Sequence, residues 1–234
     1  MTGPIDLGDG IWSVTAGSFT SNSYIASDGT IDGAVLIDVG LDKDAIVAAL
    51  GVLGRTPTAI YCTHGHFDHV GTAAFFQNTY GLQVFLHEED ARTSVANNFL
   101  LMLLKSPERV EQPEYTLVTG GFAAAVGGDR LHFRHAPGHT PGSCVIALRD
   151  HLFTGDTIYS RGIALAKTAG EKTAQLRSTI LGLWDTLPGS IVHPGHGPSS
   201  RGEVLQVANG PLRAFLGLEP MPEPVPTIAG SQRG

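Results

Sequence analysis

The stretch "AIYCTHGHFDH" (residues 59–69) joins a short apolar run to three histidines and an aspartate. The apolar run is β-prone and short, so it predicts a buried strand. His64, His66, Asp68 and His69 follow it directly. Histidine and aspartate supply the nitrogen and oxygen atoms that bind first-row divalent metals. The stretch alone fits either a metal site or a histidine-rich surface loop.

Three later strand-like runs decide between these interpretations, because each also ends near a metal-competent side chain. Residues 130–135 are followed by His139, residues 151–155 by Asp156, and residues 190–194 by His196. Open α/β sheets form their ligand sites outside the carboxyl ends of strands. The seven donors include no thiolate, which favours zinc or another first-row divalent metal. The spacing of the first four predicts two pairs of ligands for two metals, which Asp156 can bridge.

The order of elements predicts an α/β fold in one domain over residues 1–217, followed by a proline-rich tail over residues 218–234. We expect one helix to begin at Asp42 as N-cap, and another near residue 168, where Thr168 and Glu171 have the spacing of a capping box. Further predicted strands are residues 11–16, 23–27, 34–40, 83–87 and 143–149, and further predicted helices are residues 71–81 and a final one over 203–217 that Gly210-Pro211 interrupts.

Composition narrows the class of function. The chain has 234 residues and a formal net charge of −7, without the basic surface that nucleic acid or an anionic membrane requires. We therefore expect a small-molecule substrate, and no nucleic-acid or membrane partner. The N-terminus lacks the features of a signal peptide, so a cytoplasmic protein is expected. Cys62 and Cys144 lie in apolar runs, which predicts buried free thiols.

Four segments together resemble the metallo-β-lactamase superfamily: "HGHFDH" (64–69), "GHTPGS" (138–143), "FTGDT" (153–157) and "HPGHG" (193–197). The resemblance covers roughly residues 11–200. It implies an αββα sandwich, with the site at one edge between two β-sheets flanked by helices. The other five histidines match no ligand position and are interpreted as structural or exposed: His87, His132, His135, His151 and His193.

The resemblance also implies a ligand set and a reaction. His64, His66 and His139 would hold the first metal, Asp68, His69 and His196 the second, and Asp156 would bridge them. Both metals are expected to be zinc, with iron or manganese as alternatives. The expected reaction is hydrolysis of a thioester or related acyl bond by a hydroxide held between the metals. Asp68 would also orient this nucleophile.

The complete ligand set most resembles glyoxalase II, which hydrolyses glutathione thioesters. That family carries a helical C-terminal domain that binds glutathione, whereas only 38 residues follow His196 here. The hydrolytic machinery is therefore expected to carry over better than glutathione recognition. The zinc β-lactamases use a cysteine ligand or lack the bridging aspartate, so antibiotic hydrolysis is disfavoured. The nuclease branch usually adds a second domain and a basic surface. The sequence predicts neither, so a nuclease is also disfavoured.

A lactonase is the main alternative. In the acyl-homoserine lactonases of this superfamily, a tyrosine three positions after the bridging aspartate assists at the carbonyl oxygen, and Tyr159 occupies the matching position here. Tyr159 could equally serve only to pack against its neighbours, without a catalytic role. The apolar segment 97–105 forms either a substrate lid or, as we favour, a core helix.

Two further alternatives stay open. Persulfide dioxygenases share the fold and bind one iron, which His64, His139 and Asp156 could hold, although their usual glycine-arginine segment is not evident. A non-enzymatic metal-binding module is also compatible with the motifs, but it would tolerate loss of ligands, and none is lost here. The expected partner is a small-molecule acyl substrate, and a homodimer is left open.

Overall fold

Two β-sheets face each other in the computed structural model, which describes residues 3–163, 165 and 171–219. The strands of the first sheet are β1 (Ile5–Gly8), β2 (Ile11–Ala16), β3 (Ser21–Ser27), β4 (Gly33–Ile37), β5 (Thr56–Tyr61), β6 (Gln83–His87) and β7 (Tyr115–Val118). Those of the second are β8 (Ala123–Val126), β9 (Asp129–His135), β10 (Cys144–Leu148), β11 (His151–Gly155), β12 (Ile191–Pro194) and β13 (Ser200–Arg201). Both sheets keep neighbouring strands in chain order. Pairing is antiparallel except for the parallel run β4–β5–β6–β7 and the parallel pair β11–β12.

Helices cover the outer faces of both sheets. The helices of the described residues are α1 (Lys43–Leu53), α2 (Phe67–Val70), α3 (Ala73–Tyr80), α4 (Ala91–Val95), α5 (Asn97–Leu103), α6 (Thr173–Leu183), α7 (Gly202–Ala208) and α8 (Gly210–Leu216), with short 3-10 helices at Glu88–Asp90 and Trp184–Thr186. Helices α1 and α3 pack on the first sheet, and α6, α7 and α8 pack on the second. The layers therefore confirm the predicted αββα sandwich.

The main core lies between the two sheets. Tyr24 from β3 and Phe153 from β11 meet there edge to face, with ring centroids 5.0 Å apart. Full burial of an apolar side chain of this size stabilises the fold by about 1.5–3 kcal/mol. Strands β10 and β11 are buried along their whole length, because alternate residues face the sandwich core and the covering helices. This packing fixes the register of the strands that carry the site.

Most elements lie where the sequence predicts them. The predicted strands at residues 11–16, 83–87 and 151–155 match β2, β6 and β11. Asp42 caps α1 by accepting a hydrogen bond from the Ala45 amide at 3.0 Å. The final helix is divided into α7 and α8 at the predicted break, because Asn209 ends one helix and caps the next. The predicted tail boundary is untested, since residues 220–234 lie outside the described residues.

Two predictions about helices need correction. The helix α6 begins at Thr173 with Lys172 as N-cap, so Glu171 precedes it, and Thr168 lies outside the described residues. The core-helix interpretation of residues 97–105 holds for Leu101, which is fully buried. It is wrong for four other apolar side chains of the segment, which are more than half exposed: Phe99, Met102, Leu103 and Leu104. A lid role for this segment stays a prediction.

Cys62 and Cys144 are free and buried, as the sequence predicts. Burial raises the pKa of Cys144 to about 12 and that of Cys62 well above its usual range. Both thiols are therefore protonated near neutral pH and chemically inert. Among the described residues, none of the helices is long and apolar enough to cross a membrane.

Asn209 joins three segments and gives a test of the fold. Its side chain accepts a hydrogen bond from Leu212 and donates to the main-chain carbonyls of Tyr159 and Gly162, at 2.9–3.1 Å. We expect Asn209→Ala to lower the free energy of unfolding by about 2–3 kcal/mol, because a cap is lost and two carbonyls lose their donor. Urea denaturation measures this difference. Asn78→Ala, at an exposed position in α3, is the control, and an equal loss in both variants would contradict the role of Asn209.

Candidate metal centre

Four strand ends bring the seven predicted ligands to one edge of the sandwich. The loop after β5 carries His64 and His66, and α2, which begins directly after His66, carries Asp68 and His69. The remaining ligands follow β9, β11 and β12, and are His139, Asp156 and His196. The Thr63 carbonyl accepts a hydrogen bond from the Cys144 amide at 2.8 Å, and the Gly155 carbonyl accepts one from the Gly195 amide at 2.8 Å. The first of these bonds links the two sheets at the site, and the second holds two ligand loops of the second sheet together.

Three ligands form one compact group. The donor atoms of His64, His66 and His139 lie within 4.8 Å of one another. Nε2 of His139 and Nδ1 of His66 are 3.0 Å apart. All three side chains are buried, with exposed fractions of 8% or less. This group matches the predicted set for the first metal.

A second compact group lies beside the first. The donor atoms of Asp68, His69 and His196 also lie within 4.8 Å of one another, and Nε2 of His196 is 3.2 Å from Oδ2 of Asp68. Oδ1 of Asp156 lies 3.4 Å from His69 Nε2, whereas its Oδ2 lies 3.5 Å from His139 Nε2. Asp156 therefore offers one oxygen to each group, as a bridging ligand would.

Burial and hydrogen bonding test whether a cation fits. His64 Nε2, His69 Nε2 and Asp156 Oδ1 are buried and have no hydrogen-bond partner among the described residues. Buried polar atoms in proteins are almost always paired. His64 Nε2 has no such partner, and His69 Nε2 and Asp156 Oδ1 have only ion pairs, the closest of them with each other at 3.4 Å, so all three atoms have room for a further partner. All three belong to the predicted ligand set. Divalent cations bound between the groups would satisfy them, and the residues present therefore fit the metal.

The charge state of the first group suits a metal. Burial lowers the pKa of His64 well below its usual range and lowers that of His139 to about 4. Burial also lowers the pKa of His66. Neutral imidazole is the form that binds metals, because its unprotonated nitrogen keeps a free electron pair. These three histidines are thus ready to bind near neutral pH.

Negative charge is concentrated at the second group. Burial opposes charge on Asp156, but the attraction of His69 outweighs it and holds the pKa of Asp156 well below its usual range. Burial likewise opposes charge on His69, and Asp156, Asp68 and Asp38 together raise its pKa well above its usual range. Three carboxylates around one histidine form a site that attracts cations.

Asp38 contacts the second ligand group and is a candidate supporting residue that the sequence did not predict. It follows β4 and is 1% exposed, and its carboxylate lies 2.8 Å from His69 Nδ1. It also accepts hydrogen bonds from the amide and hydroxyl of Thr63, both at 2.7 Å. A carboxylate at the second ring nitrogen fixes the orientation of a ligating histidine. The signal available in the sequence is an aspartate directly after the apolar run of β4.

Asn22 and Tyr24 support the last ligand loop and were also missed. The Asn22 amide donates to the carbonyls of Pro194 and Gly197 at 2.9 and 2.8 Å. The Tyr24 hydroxyl donates to the Pro194 carbonyl at 2.5 Å. These bonds hold the chain on both sides of His196. No motif indicates them, because the partners are about 170 positions apart in sequence.

Tyr159 lies next to the second group. Its side chain is 8% exposed, and its ring stacks on that of His196 with centroids 6.4 Å apart. Burial, followed by the negative charge of Asp156, raises the pKa of Tyr159 well above its usual range. The phenol therefore stays protonated near neutral pH and can donate a hydrogen bond.

The five remaining histidines lie outside the two groups. His132 and His135 are exposed, and His135 stacks on the buried ring of His87. His151 and His193 are buried and 2.8 Å apart. Nε2 of His151 also lies 3.2 Å from Asp9, at the end of β11 opposite to Asp156. These contacts support the structural or exposed roles expected from the sequence.

Comparisons with known proteins agree with this architecture. Residues 16–201 match the family model of the metallo-β-lactamase superfamily. The chain is 32% identical to a hydroxyacylglutathione hydrolase of Anaeromyxobacter dehalogenans (strain 2CP-C), over 85% of this chain and 74% of that protein.

Two solved structures share the fold. The BLEG-1 B3 metallo-β-lactamase superposes with a TM-score of 0.78 and 26% identity, covering 86% of this chain and 99% of that one. TTHA1623 in a di-iron-bound form superposes with a TM-score of 0.77 and 26% identity, covering 85% of this chain and 98% of that one. The family match spans most of the chain and includes all seven predicted ligand positions. The chain belongs to the metallo-β-lactamase superfamily of metal-dependent hydrolases.

Proposed function

We propose that the protein is a dinuclear metal-dependent hydrolase that cleaves a thioester or a related activated acyl bond of a small molecule in the cytoplasm. The observation that carries this proposal is the pair of ligand groups joined by Asp156, with three buried donor atoms that lack a hydrogen-bond partner among the described residues. The similarity to a hydroxyacylglutathione hydrolase over 85% of the chain supports the thioester class.

The seven side chains divide between the two metals. His64, His66 and His139 would hold the first, Asp68, His69 and His196 the second, and Asp156 would contribute one oxygen to each. Zinc is proposed because the donors are imidazoles and carboxylates, with iron and manganese as alternatives. When bound, such metals supply a Lewis acid for the acyl carbonyl and lower the pKa of water from 15.7 toward about 7.

The protein side chains would orient the reactants. The Asp68 side chain is 13% exposed, the most accessible of the carboxylates between the two groups, and one of its oxygens lies 3.2 Å from His196. A partly accessible carboxylate oxygen at this place would accept a hydrogen bond from the attacking water and align it with the carbonyl carbon. The buried side chains of His64, His66 and His139 would exclude bulk water from the first metal.

A lactonase is the second candidate, and the position of Tyr159 favours it. The phenol is protonated and lies against His196, so it would donate a hydrogen bond to the acyl oxygen as negative charge develops there. Thioester and lactone hydrolysis use the same ligands. The substrate therefore has to be identified by experiment.

Metal content and a substrate panel test the proposal together. We expect purified protein to contain near two divalent metals per chain by elemental analysis, since two ligand groups are present. We also expect hydrolysis of at least one member of a panel of glutathione thioesters, coenzyme A thioesters and homoserine lactones of graded chain length. A β-lactam in the same panel measures antibiotic hydrolysis directly.

Two outcomes would contradict the proposal. Fully metal-loaded protein that is inactive on every member of the panel would exclude the acyl hydrolase. A single iron per chain, together with oxygen consumption on a persulfide, would support the dioxygenase that the sequence analysis left open. The metal-free protein is the control for background hydrolysis of each substrate.

A further inference from the structure

Asp90 is a fully buried carboxylate close to the metal centre that contacts none of the seven ligands directly. Its Oδ2 accepts hydrogen bonds from the Gly65 amide at 2.7 Å and from the Thr140 hydroxyl at 2.8 Å. Its Oδ1 accepts from the Gly142 amide at 2.7 Å and from the Thr93 hydroxyl at 3.3 Å. Both oxygens are thus engaged, each by one main-chain amide and one hydroxyl group.

The donors to Asp90 come from the two loops that carry the first group of ligands. Gly65 lies between His64 and His66, and Thr140 directly follows His139. A single carboxylate oxygen of Asp90 therefore joins the loop after β5 to the loop after β9. Hydrogen bonds to a carboxylate are stronger than hydrogen bonds between neutral groups. The bonds to Asp90 therefore hold the two loops strongly together.

Close packing supports the same junction independently of the hydrogen bonds. A Cβ atom on Gly65 would lie 2.8 Å from the Asp90 carbonyl oxygen, and one on Gly142 would lie 2.7 Å from the Asp90 amide nitrogen. Both distances are too short for real Cβ contacts. Only glycine at these two positions lets the loops pack directly against the main chain of Asp90.

We propose that Asp90 is a positioning residue that holds His66 and His139 together and so sets the affinity of the first metal in the function proposed above. The inference rests on that proposed metal centre. His66 Nδ1 and His139 Nε2 are 3.0 Å apart, although their loops come from different sheets. The Asp90 carboxylate bonds to both loops, and it acts through Gly65 and Thr140 rather than by touching the metal.

The second group of ligands has a different support. His69 is held by the Asp38 carboxylate at 2.8 Å, and its main-chain carbonyl accepts a hydrogen bond from Val39 at 2.7 Å. His196 lies in the loop that Asn22 supports. Loss of the Asp90 carboxylate should therefore weaken the first metal and leave the second unchanged.

Asp90→Asn tests the role with little change in shape. In one orientation of the amide its NH₂ group faces the Gly65 amide, and the shared acceptor of Gly65 and Thr140 is lost. In the other orientation it faces the Gly142 amide, and the loop after β9 loses one of its two bonds to residue 90. Zinc affinity is measured by competition with a chromophoric chelator, in two variant proteins that each lack one ligand. His196→Ala removes a ligand of the second metal, and His66→Ala removes a ligand of the first.

In the His196→Ala background, Asp90→Asn should weaken zinc binding by about 10–100-fold, the usual effect of losing a supporting contact behind metal ligands. In the His66→Ala background, zinc affinity should not change. Equal weakening in both backgrounds would mean a general structural role and would overturn the proposal. Unchanged affinity in the first background would overturn it as well.

A pair of threonine variants keeps the proposal testable if Asp90→Asn does not fold. Thr140→Val and Thr93→Val each remove one hydroxyl donor to Asp90, but only Thr140 belongs to a ligand loop. Thr140→Val should weaken zinc binding in the His196→Ala background, and Thr93→Val should not. An equal effect of the two would overturn the proposal.

The same titrations separate this inference from the proposed function. If neither background binds zinc with Asp90 intact, the metal centre itself is wrong and the role of Asp90 is overturned with it. If zinc binds in both backgrounds and Asp90→Asn changes neither affinity, only the positioning role is overturned.

Discussion

Asp156→Asn is expected to reduce metal content from near two ions per chain to below one and to lower turnover by more than about 10³-fold. The reason is its position, with one oxygen 3.4 Å from His69 and the other 3.5 Å from His139. Asparagine keeps the shape of the side chain but replaces one anionic oxygen with an NH₂ group, which cannot bind a metal. One ligand group therefore loses its donor, and the other keeps a neutral amide oxygen in place of an anionic one.

Elemental analysis of the purified variant and its turnover on the best panel substrate measure the two effects. His132→Ala is the matched control, because it removes an exposed histidine of β9 outside both ligand groups. That variant should keep two metals and full activity. An Asp156→Asn protein with two tightly bound metals and normal turnover would show that Asp156 does not bridge the site.

The seven candidate ligands were predictable because each lies at the carboxyl end of a strand. A buried strand such as β5 is visible in the sequence as a short apolar run, and the polar side chains after it must emerge at the sheet edge. Four such runs are each followed by a histidine or an aspartate. These side chains come together only if the four strands end at the same edge of the sandwich. The resemblance to a known family supplied the pairing of ligands with metals.

The supporting carboxylates were not predictable in the same way. Asp38 and Asp90 both follow strands, as the ligands do, yet they point at a ring nitrogen and at main-chain amides. Their roles depend on which loops the fold brings next to them. Gly142 is 52 positions from Asp90 and Thr63 is 25 from Asp38, and no local spacing rule connects such partners.

The helix α5 shows a different limit. Its apolar run predicts burial, but only Leu101 reaches the core, packing with Phe67 of α2. Periodicity indicates that a segment can be buried, whereas the neighbouring elements decide how much of it is. Here one face is covered, and Phe99 and Met102 remain more than half exposed.

Tyr159→Phe is expected to distinguish a lactonase that uses the Tyr159 phenol from a thioesterase that does not, through its effect on kcat. A protonated phenol that donates to the developing oxyanion stabilises charge that is absent from the ground state. If Tyr159 does this, kcat should fall by about 10²-fold, the scale of losing one oxyanion donor, with little change in KM. Metal content should not change, because the seven ligands do not include Tyr159.

The alternative is that Tyr159 only packs against His196. Removing one hydroxyl would then leave kcat nearly intact and cost about 1 kcal/mol of stability at most. His66→Ala is the control that should lose the first metal and activity together, since His66 lies in the first ligand group. Wild-type turnover of Tyr159→Phe on its best substrate would exclude the lactonase-like role. The thioesterase would then be the better supported hydrolase, because its proposed mechanism uses the ligands and Asp68 and does not require the Tyr159 phenol.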